Sequence, residues 1–254
     1  MIGIYEIAAS GLNAQQRALE VIANNITNVN TPSFKRSSVR FSEIVTQRLE
    51  ENASQSGEMS DGLSGVNAGA VLDLLGQGAV EKTNNALDLA IEGAGFIELL
   101  GPNGQTMLSR GGSLSVSSEG ILTGARGLPL RAMITIPPDA TALTIAPDGT
   151  VSAKLGSDLA VELGKINLVQ VDDPAAMERL DGGIYRALND AGAIEMEAGD
   201  ASAGRFVQGA LERSNVDMNQ EMVQLLIVQR AYAANAQLVQ AADQFMGISN
   251  GLRK

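Results

Sequence analysis

The chain has 254 residues, a formal net charge of −11, and neither histidine nor cysteine. Without these residue types it lacks the commonest metal ligands, the usual general base near neutral pH, the thiol nucleophile and any disulfide. The negative charge opposes binding to a nucleic-acid backbone. The sequence contains no run of about 18 apolar residues, so no transmembrane helix is predicted. The amino-terminal stretch MIGIYEIAASGLNAQQR has no basic region before an apolar run, so no Sec-type signal peptide is expected.

The amino-terminal segment shows a helical period on two neighbouring faces. From Met1 to Val29, mostly apolar residues recur at alternating spacings of four and three, a heptad pattern with one polar member, Gln15. A second series, displaced by one residue, runs from Ile4 to Asn25. This pattern predicts a long helix that makes contacts on two sides.

The middle of the chain has no such period. Residues 46–70 are polar and rich in glycine and serine, which predicts a linker or a loop that folds only against a partner. Short strand patterns with turn residues between them follow, among them 133–136, 142–145 and 150–154. Residues 71–213 are therefore predicted to form a mostly antiparallel β domain.

The carboxyl-terminal segment again predicts a long helix. Asp217 stands three residues before Gln220, close to a capping box, and the chain then runs without proline or glycine until Gly247. Two heptad stripes follow, the first at Met222, Leu225, Gln229, Tyr232, Ala236, Val239 and Met246, the second at Val228, Ala231, Asn235, Leu238, Ala242 and Phe245. This helix too offers two contact faces.

Two long helices at the ends of a chain, with strands between them, are expected to pack against each other. The predicted fold class is α+β, with long N- and C-terminal helices paired as a coiled-coil-like domain and an inserted, mostly antiparallel β domain. The predicted boundaries are 1–45 for the first helix and the following turn, 46–70 for the linker, 71–213 for the β domain and 214–254 for the last helix. Because a two-helix hairpin covers one stripe on each helix, the second stripes predict self-association.

No standard catalytic or phosphate-binding pattern occurs in the sequence. It lacks the GxxxxGK[ST] and GxGxxG patterns, and schemes that need histidine are impossible. Asp172, Asp173, Glu195, Glu197 and Asp200 could serve glycoside hydrolysis, but a chain with 3% aromatic residues offers little for a sugar platform, and a solvated acidic edge is the competing interpretation. We therefore expect no enzyme activity, metal, cofactor, nucleic acid or small-molecule substrate.

Both ends of the chain carry extended motifs. The segments SGLNAQQRALEVIANNITNVNTPSFKR and LERSNVDMNQEMVQLLIVQRAYAANAQLVQAADQF resemble, in the same order, the terminal signatures of the bacterial flagellar rod and hook family. The central run QGAVEKTNNALDLAIEGAGFIELLGPNGQTMLSRGGSLSVSSEGIL resembles that family's β domain. Within the family, the chain is most similar to the distal-rod protein, with a proximal-rod protein as the alternative.

The resemblance implies a structural role in the periplasmic part of the flagellar basal body. It implies subunits that polymerise helically, the terminal helices forming an inner tube and the β domain an outer layer of a drive shaft that transmits torque to the hook. Implied partners are further copies of the chain, neighbouring rod and hook proteins, the periplasmic and outer-membrane bushing rings, and the flagellar type III export apparatus. A secreted β-domain binding module oligomerised by terminal coiled coils is the alternative from a different class.

The motifs and the helix stripes together predict a subunit interface. Its residues are Leu12, Gln15, Leu19, Ile22, Asn24, Asn25, Asn28, Phe34, Lys35, Ser214, Asn215, Val216, Met222, Leu225, Gln229, Arg230, Tyr232, Leu238 and Phe245. Two residues depart from the family pattern. Ser33 stands where the family has glycine, so any left-handed backbone there has to be borne by a serine, and Thr27 replaces an alanine.

The first helix ends in an amide-rich run, and three of its asparagines fall inside the helical period. Pro32 and the residues just before it mark a helix end, but Asn24, Asn25 and Asn28 precede that end. A polar side chain in a packing seam can fix register at a cost in stability. We predict that these asparagines hydrogen-bond across helices or to the following turn, and so set how one subunit seats on the next.

Overall fold

The computed structural model describes residues 2–45, 64–74, 76–156, 160–171, 177–187, 193–196, 198 and 204–251. Contacts within the chain divide it into two compact units. The helical unit consists of the described parts of Met1–Thr27, Ser37–Val71 and Asp217–Lys254. The β unit consists of the described parts of Asn28–Arg36 and Leu72–Val216.

The helical unit contains two helices and a pair of strands. Helix α1 spans Ile2–Thr27 and helix α2 spans Met218–Gly251, while β1 (Ser37–Val45) and β2 (Ser64–Leu72) form a two-stranded sheet. Most of the predicted linker at 46–70 lies outside the described residues, and its described end belongs to β2. Within the described ranges, no helix combines the length and apolarity that a membrane-spanning segment requires.

The start of α2 is capped as its sequence predicts. The side chain of Asp217 accepts hydrogen bonds from the backbone N–H groups of Asn219 (2.8 Å) and Gln220 (3.3 Å). These bonds satisfy donors that have no partner inside the helix, and a negative charge at this end also favours the helix dipole. The helix therefore begins at Met218, directly after its cap.

The structure fits an α+β class, but the predicted coiled-coil-like pairing of the two helices is wrong. Two large residues of the predicted α2 seam remain largely exposed, Met222 at 51% and Tyr232 at 41%. At one point of their contact the two helices meet through a glycine and an amide, because a Cβ added at Gly11 would lie 3.1 Å from Asn235 Nδ2. These features do not show the knobs-into-holes packing of large apolar side chains that defines a coiled coil.

Strands also occupy part of the surface of α1 on which a second helix was expected. The guanidinium of Arg17 donates to the carbonyl of Ala68 in β2 (3.3 Å), and the backbone N–H of Val66 donates to the hydroxyl of Ser10 (3.3 Å). Ala14, Ala18 and Ile22 are buried on α1. This helix is therefore packed against a sheet as well as against α2.

The β unit is built from short strands whose pairings, where described, are all antiparallel. In chain order they are β3 Val80–Lys82, β4 Asp88–Glu92, β5 Phe96–Leu100, β6 Thr106–Ser109, β7 Gly111–Ser113, β8 Ser115–Val116, β9 Leu122–Thr123, β10 Ala140–Ile145, β11 Thr150–Leu155, β12 Ala160–Lys165, β13 Leu168–Val171, β14 Met177–Leu180, β15 Ile184–Ala187, β16 Ala193–Met196, β17 Arg205–Gln208 and β18 Ala210–Glu212. Two 3₁₀ turns lie at Pro102–Gly104 and Ala125–Gly127.

The strands form several small sheets around an aliphatic core. The largest sheet has the order β14-β15-β6-β5-β13-β16, two further sheets have the orders β17-β4-β7 and β10-β11-β12, and β18-β3 and β8-β9 are pairs. Leu89, Leu99, Leu122 and Leu130 are almost completely buried in one apolar cluster with Phe206. Burying each leucine contributes about 1.5–3 kcal/mol, so the β unit has an apolar core of its own.

Candidate functional site

The predicted interface residues divide between the two units and differ in exposure. Ile22, Asn25, Phe34, Lys35 and Val216 are buried; Leu12, Gln15, Leu19, Asn28, Ser214, Asn215 and Leu225 are half-buried; Asn24, Met222, Gln229, Arg230, Tyr232, Leu238 and Phe245 are exposed. The structure therefore separates two kinds of residue that the sequence grouped together. Some are packed inside the subunit, and the others are exposed on its surface.

Lys35 is anchored inside the β unit by a buried network of charges. Its ammonium donates to Glu212 Oε1 (2.6 Å) and to the carbonyl of Gly76 (2.7 Å). The other oxygen of Glu212 lies 3.4 Å from the guanidinium of Arg110. Burial lowers the pKa of Lys35, the nearby charge of Arg110 lowers it further, and the attraction of Glu212 opposes both.

Arg110 completes this network and ties it to the core. Its guanidinium donates to the carbonyls of Gly95 (2.6 Å) and Gly93 (2.7 Å) and lies 5.3 Å from the centroid of the Phe96 ring. Two cations thus share the single carboxylate of Glu212. An arrangement of this kind is costly to break, because removing one charge leaves its partners buried and uncompensated.

Phe34 is held by a third cation. The guanidinium of Arg179 lies 4.1 Å from the centroid of the Phe34 ring and donates to the carbonyl of Lys35. Burial lowers the pKa of Arg179. Phe34 and Lys35 therefore lock the segment after α1 into the β unit of their own chain.

Ser33, which stands where the family has glycine, adopts a left-handed backbone conformation. Its φ is +58°, in the left-handed region, and its N–H donates to the carbonyl of Glu212 (2.7 Å). The side chain is buried, and within the described residues its hydroxyl has no hydrogen-bond partner. Serine therefore bears both a strained φ and an unsatisfied hydroxyl at this position. At the other departure, the hydroxyl of Thr27 donates to the carbonyl of Ala23 (2.8 Å).

Asn25 makes its hydrogen bonds within its own chain, inside the helical unit. Its amide nitrogen donates to the carbonyl of Ser37 (2.7 Å) and to Glu221 Oε2 (3.2 Å), and its amide oxygen accepts from the N–H of Ser37 (3.0 Å). Asn25 and Glu221 are both almost fully buried. One side chain thus joins the end of α1 to the start of β1 and to the first turn of α2.

The residues that complete these contacts were missed from the sequence. Glu212 and Arg179 lie on short strands and Arg110 lies between two of them, all far along the chain from Lys35. A charged residue in such a position is usually solvated. Glu221 looks like an ordinary acidic residue in the first turn of a helix. Nothing in the spacing of these residues indicates burial, so only the fold could reveal them.

Most of the acidic candidates for hydrolytic chemistry lie outside the part of the chain that the structure describes. Asp172, Asp173, Glu197 and Asp200 lie outside the described residues, and Glu195 lies in β16. Over the residues that are described, no three or more Asp and Glu side chains are grouped so that they could hold a metal ion. The expected absence of metal and cofactor stays a prediction.

Comparisons with known proteins connect both ends of the chain and its middle to one family. The family model described as "Flagella basal body rod protein" matches residues 6–35, "Flagellar hook protein FlgE/F/G D1 domain" matches 90–153, and "Flagellar basal body rod FlgEFG protein C-terminal" matches 207–252. The flagellar basal-body rod protein FlgG of Caulobacter vibrioides is 36% identical over 97% of this chain and 97% of its own. The chain belongs to the flagellar basal-body rod protein family.

Other relatives agree with this assignment. FlgG of Borreliella burgdorferi is 33% identical over 97% of each chain, and FlgG of Bacillus subtilis is 29% identical over 93% of this chain and 94% of its own. FlgG is the distal-rod protein. The resemblance to the rod and hook family, and within it to the distal-rod member, is thus confirmed, and the chain is a structural subunit of the flagellar rod.

Proposed function

We propose that this rod subunit polymerises helically through the exposed apolar side of α2 and forms the periplasmic drive shaft that carries torque to the hook. The observation that supports the proposal is a set of large apolar side chains on the surface of that helix. They are Met222, Val223, Leu226, Ile227, Leu238, Phe245 and Ile248, each more than half exposed. A monomer rarely exposes so many apolar groups on one element unless they meet a partner.

Most of these side chains share one face of the helix. Val223, Ile227, Leu238, Phe245 and Ile248 follow one another at intervals of 4, 11, 7 and 3 residues. Each interval is close to a whole number of turns of about 3.6 residues, so the five side chains line one stripe. Leu238 and Phe245 belong to the interface that the sequence predicted, and both project from this stripe.

A stripe of this kind suits a filament. A patch that meets a different surface on the next copy generates an open helical assembly when the rotation does not close. Removing such side chains from water contributes about 25 cal/mol per Å² of apolar area. Contacts repeated along every subunit would therefore stabilise a stiff rod, with the predicted residues Met222, Gln229, Arg230 and Tyr232 on the same exposed helix.

The proposed partners follow from the family. As a basal-body rod protein, the chain assembles with other rod and hook proteins. We further propose contacts with the periplasmic and outer-membrane bushing rings, and export by the flagellar type III apparatus. The role requires no catalysis, cofactor, nucleic acid or small-molecule substrate.

The experiment that tests the proposal changes the stripe and leaves the subunit fold intact. The variant Leu238→Ser with Phe245→Ser removes two of the most exposed apolar side chains of α2, and Val116→Ser removes an exposed one from the β unit. Each is produced in cells that lack their own distal-rod protein, and rods are counted by electron microscopy. The α2 variant should build no rods, while the Val116 variant should build them normally. Normal rods from the α2 variant would rule out this surface.

A further inference from the structure

The chain crosses between the two units at several points, and three of these crossings carry mutually bonded residues. Arg36 is the last residue of one β-unit segment, Asp73 is the second residue of the next, and Asn215 is the penultimate residue of that second segment. We call these three the exit triad. They are distant in sequence, yet all lie in the β unit.

Three hydrogen bonds close the exit triad into a ring. The backbone N–H of Arg36 donates to Asn215 Oδ1 (2.6 Å), and the backbone N–H of Asp73 donates to the carbonyl of Arg36 (2.8 Å). The amide nitrogen of Asn215 donates to the carbonyl of Asp73 (3.2 Å) and also to that of Gly76 (2.9 Å). Of the groups in these four bonds, only the Asn215 amide belongs to a side chain.

The exit triad rests on the buried charge network already described. The carbonyl of Gly76 accepts from both Asn215 and Lys35, and Lys35 is paired with Glu212. Gly76 also donates its N–H to the carboxylate of Asp73 (3.0 Å). The triad is therefore fixed to a part of the β unit that is expensive to deform.

We propose that Asn215 is a positioning residue that holds three distant points of the β-unit chain together, so that this part of the β unit keeps its geometry when the assembled subunit carries load. This inference rests on the proposed function, because only a subunit under torque needs such reinforcement. Asn215 then stabilises the assembled rod from within each subunit and not between subunits.

Two independent variants disturb the exit triad. Asn215→Ala removes the amide entirely. Gly76→Ala leaves the amide but places a methyl group 2.8 Å from Asn215 Nδ2 and 2.7 Å from the carboxylate of Asp73, too close for either to stay in place. Gly156→Ala is the matched control, since a Cβ at Gly156 would have nothing within 4 Å.

Hydrogen exchange of the full-length chain measures the exit triad directly. In Asn215→Ala, the amides of Arg36 and Asp73 should exchange roughly tenfold faster, because their protection depends on the ring, while core amides such as that of Leu99 keep their rates. Gly76→Ala should show the same local change, and Gly156→Ala should show none. Unchanged exchange at Arg36 and Asp73 in both triad variants would overturn the inference.

Swimming separates the mechanical role from a purely structural one. Cells whose only distal-rod protein is Asn215→Ala should build rods, swim in dilute medium, and stop at a lower viscosity than cells carrying Gly156→Ala. Equal swimming at every viscosity, despite faster exchange, would show that the triad carries no load. If the unaltered chain itself built no rods in these cells, the proposed function would fail, while the exchange result would still decide whether the triad exists.

Discussion

The two units differ in how much of their apolar surface they bury. In the β unit, leucines from several sheets are almost completely buried around Phe206. In the helical unit, α2 buries little of its apolar surface, and Leu226 and Phe245 are exposed by 56% and 70%. The β unit therefore obtains its stability from its own core, whereas the helical unit has apolar surface left over for contacts between subunits.

The two units also differ in the kind of polar group that they bury. The β unit buries the full charges of Lys35, Arg110 and Glu212 at one point. The helical unit buries an amide and one carboxylate, Asn25 and Glu221, across the approach of its two helices. A network of full charges fixes one geometry strongly, and an amide contact fixes it more weakly. We therefore expect the β unit to be rigid by itself, and the helical unit to become rigid only when subunits assemble.

The largest effect is expected where the β unit buries its charges. Glu212→Gln should lower the free energy of unfolding by about 3–5 kcal/mol, because two cations then remain buried without a counter-charge. Urea unfolding of the full chain, followed by far-UV circular dichroism, measures it. The control is Glu81→Gln, whose carboxylate pairs with Arg213 at 3.5 Å with both side chains more than half exposed. The control should change stability by less than about 0.5 kcal/mol.

The next effect contrasts one leucine from each unit. Leu99→Ala should cost about 2–5 kcal/mol, because it leaves a cavity in the β core. Leu226→Ala removes an exposed side chain of α2 and should change the stability of the free subunit by less than about 0.5 kcal/mol, yet it should reduce rod assembly. Urea unfolding curves measure the stability of both variants, and rod counts by electron microscopy measure their assembly. Equal losses of stability in the two variants would mean that the exposed leucine of α2 stabilises the free subunit as much as the buried leucine of the β core does.

A smaller effect is expected at the polar contact of the helical unit. Asn25→Leu should cost about 1–3 kcal/mol, because it leaves the backbone of Ser37 and the carboxylate of Glu221 without their shared partner. Hydrogen exchange at Ser37 should rise, and ordered rod assembly should weaken while the β unit stays folded. Asn13→Leu changes an exposed asparagine of the same helix and serves as the control. Unchanged exchange at Ser37 would contradict this role for Asn25.

Periodicity and turn chemistry were enough to predict the secondary structure in outline. The strands expected at 142–145 and 150–154 are part of β10 and β11, and the cap at Asp217 is in place. The strand expected at 133–136 is absent, because Met133 closes a turn with a φ of +47° and its N–H donates to Leu130. Local sequence cannot show that a strand-like run will be bent by a turn at its first residue.

The site was predicted less well than the elements, and the reason is physical. Asn25, Phe34 and Lys35 belong to motifs that mark them as important, but their partners are Ser37, Glu221 and three charged residues that lie far along the chain. Such pairs are set by tertiary contacts and have no period along the chain. The coiled-coil expectation failed for a related reason, since heptads report which residues are apolar and not which of them are buried within the subunit.

The smallest effect has the opposite sign and concerns the left-handed serine of the β unit. Ser33→Gly should raise the free energy of unfolding by about 1 kcal/mol, because glycine tolerates a φ of +58° and removes a buried hydroxyl without a partner among the described residues. Asn84→Gly is the matched control, with a φ of +60° on an exposed asparagine, a residue that accepts this region readily. Its stability should change by less than about 0.5 kcal/mol, since glycine also gains freedom in the unfolded chain. If Ser33→Gly were neutral or destabilising, the side chain of the serine would have to contribute something that offsets the strain, since glycine keeps the backbone bond to Glu212.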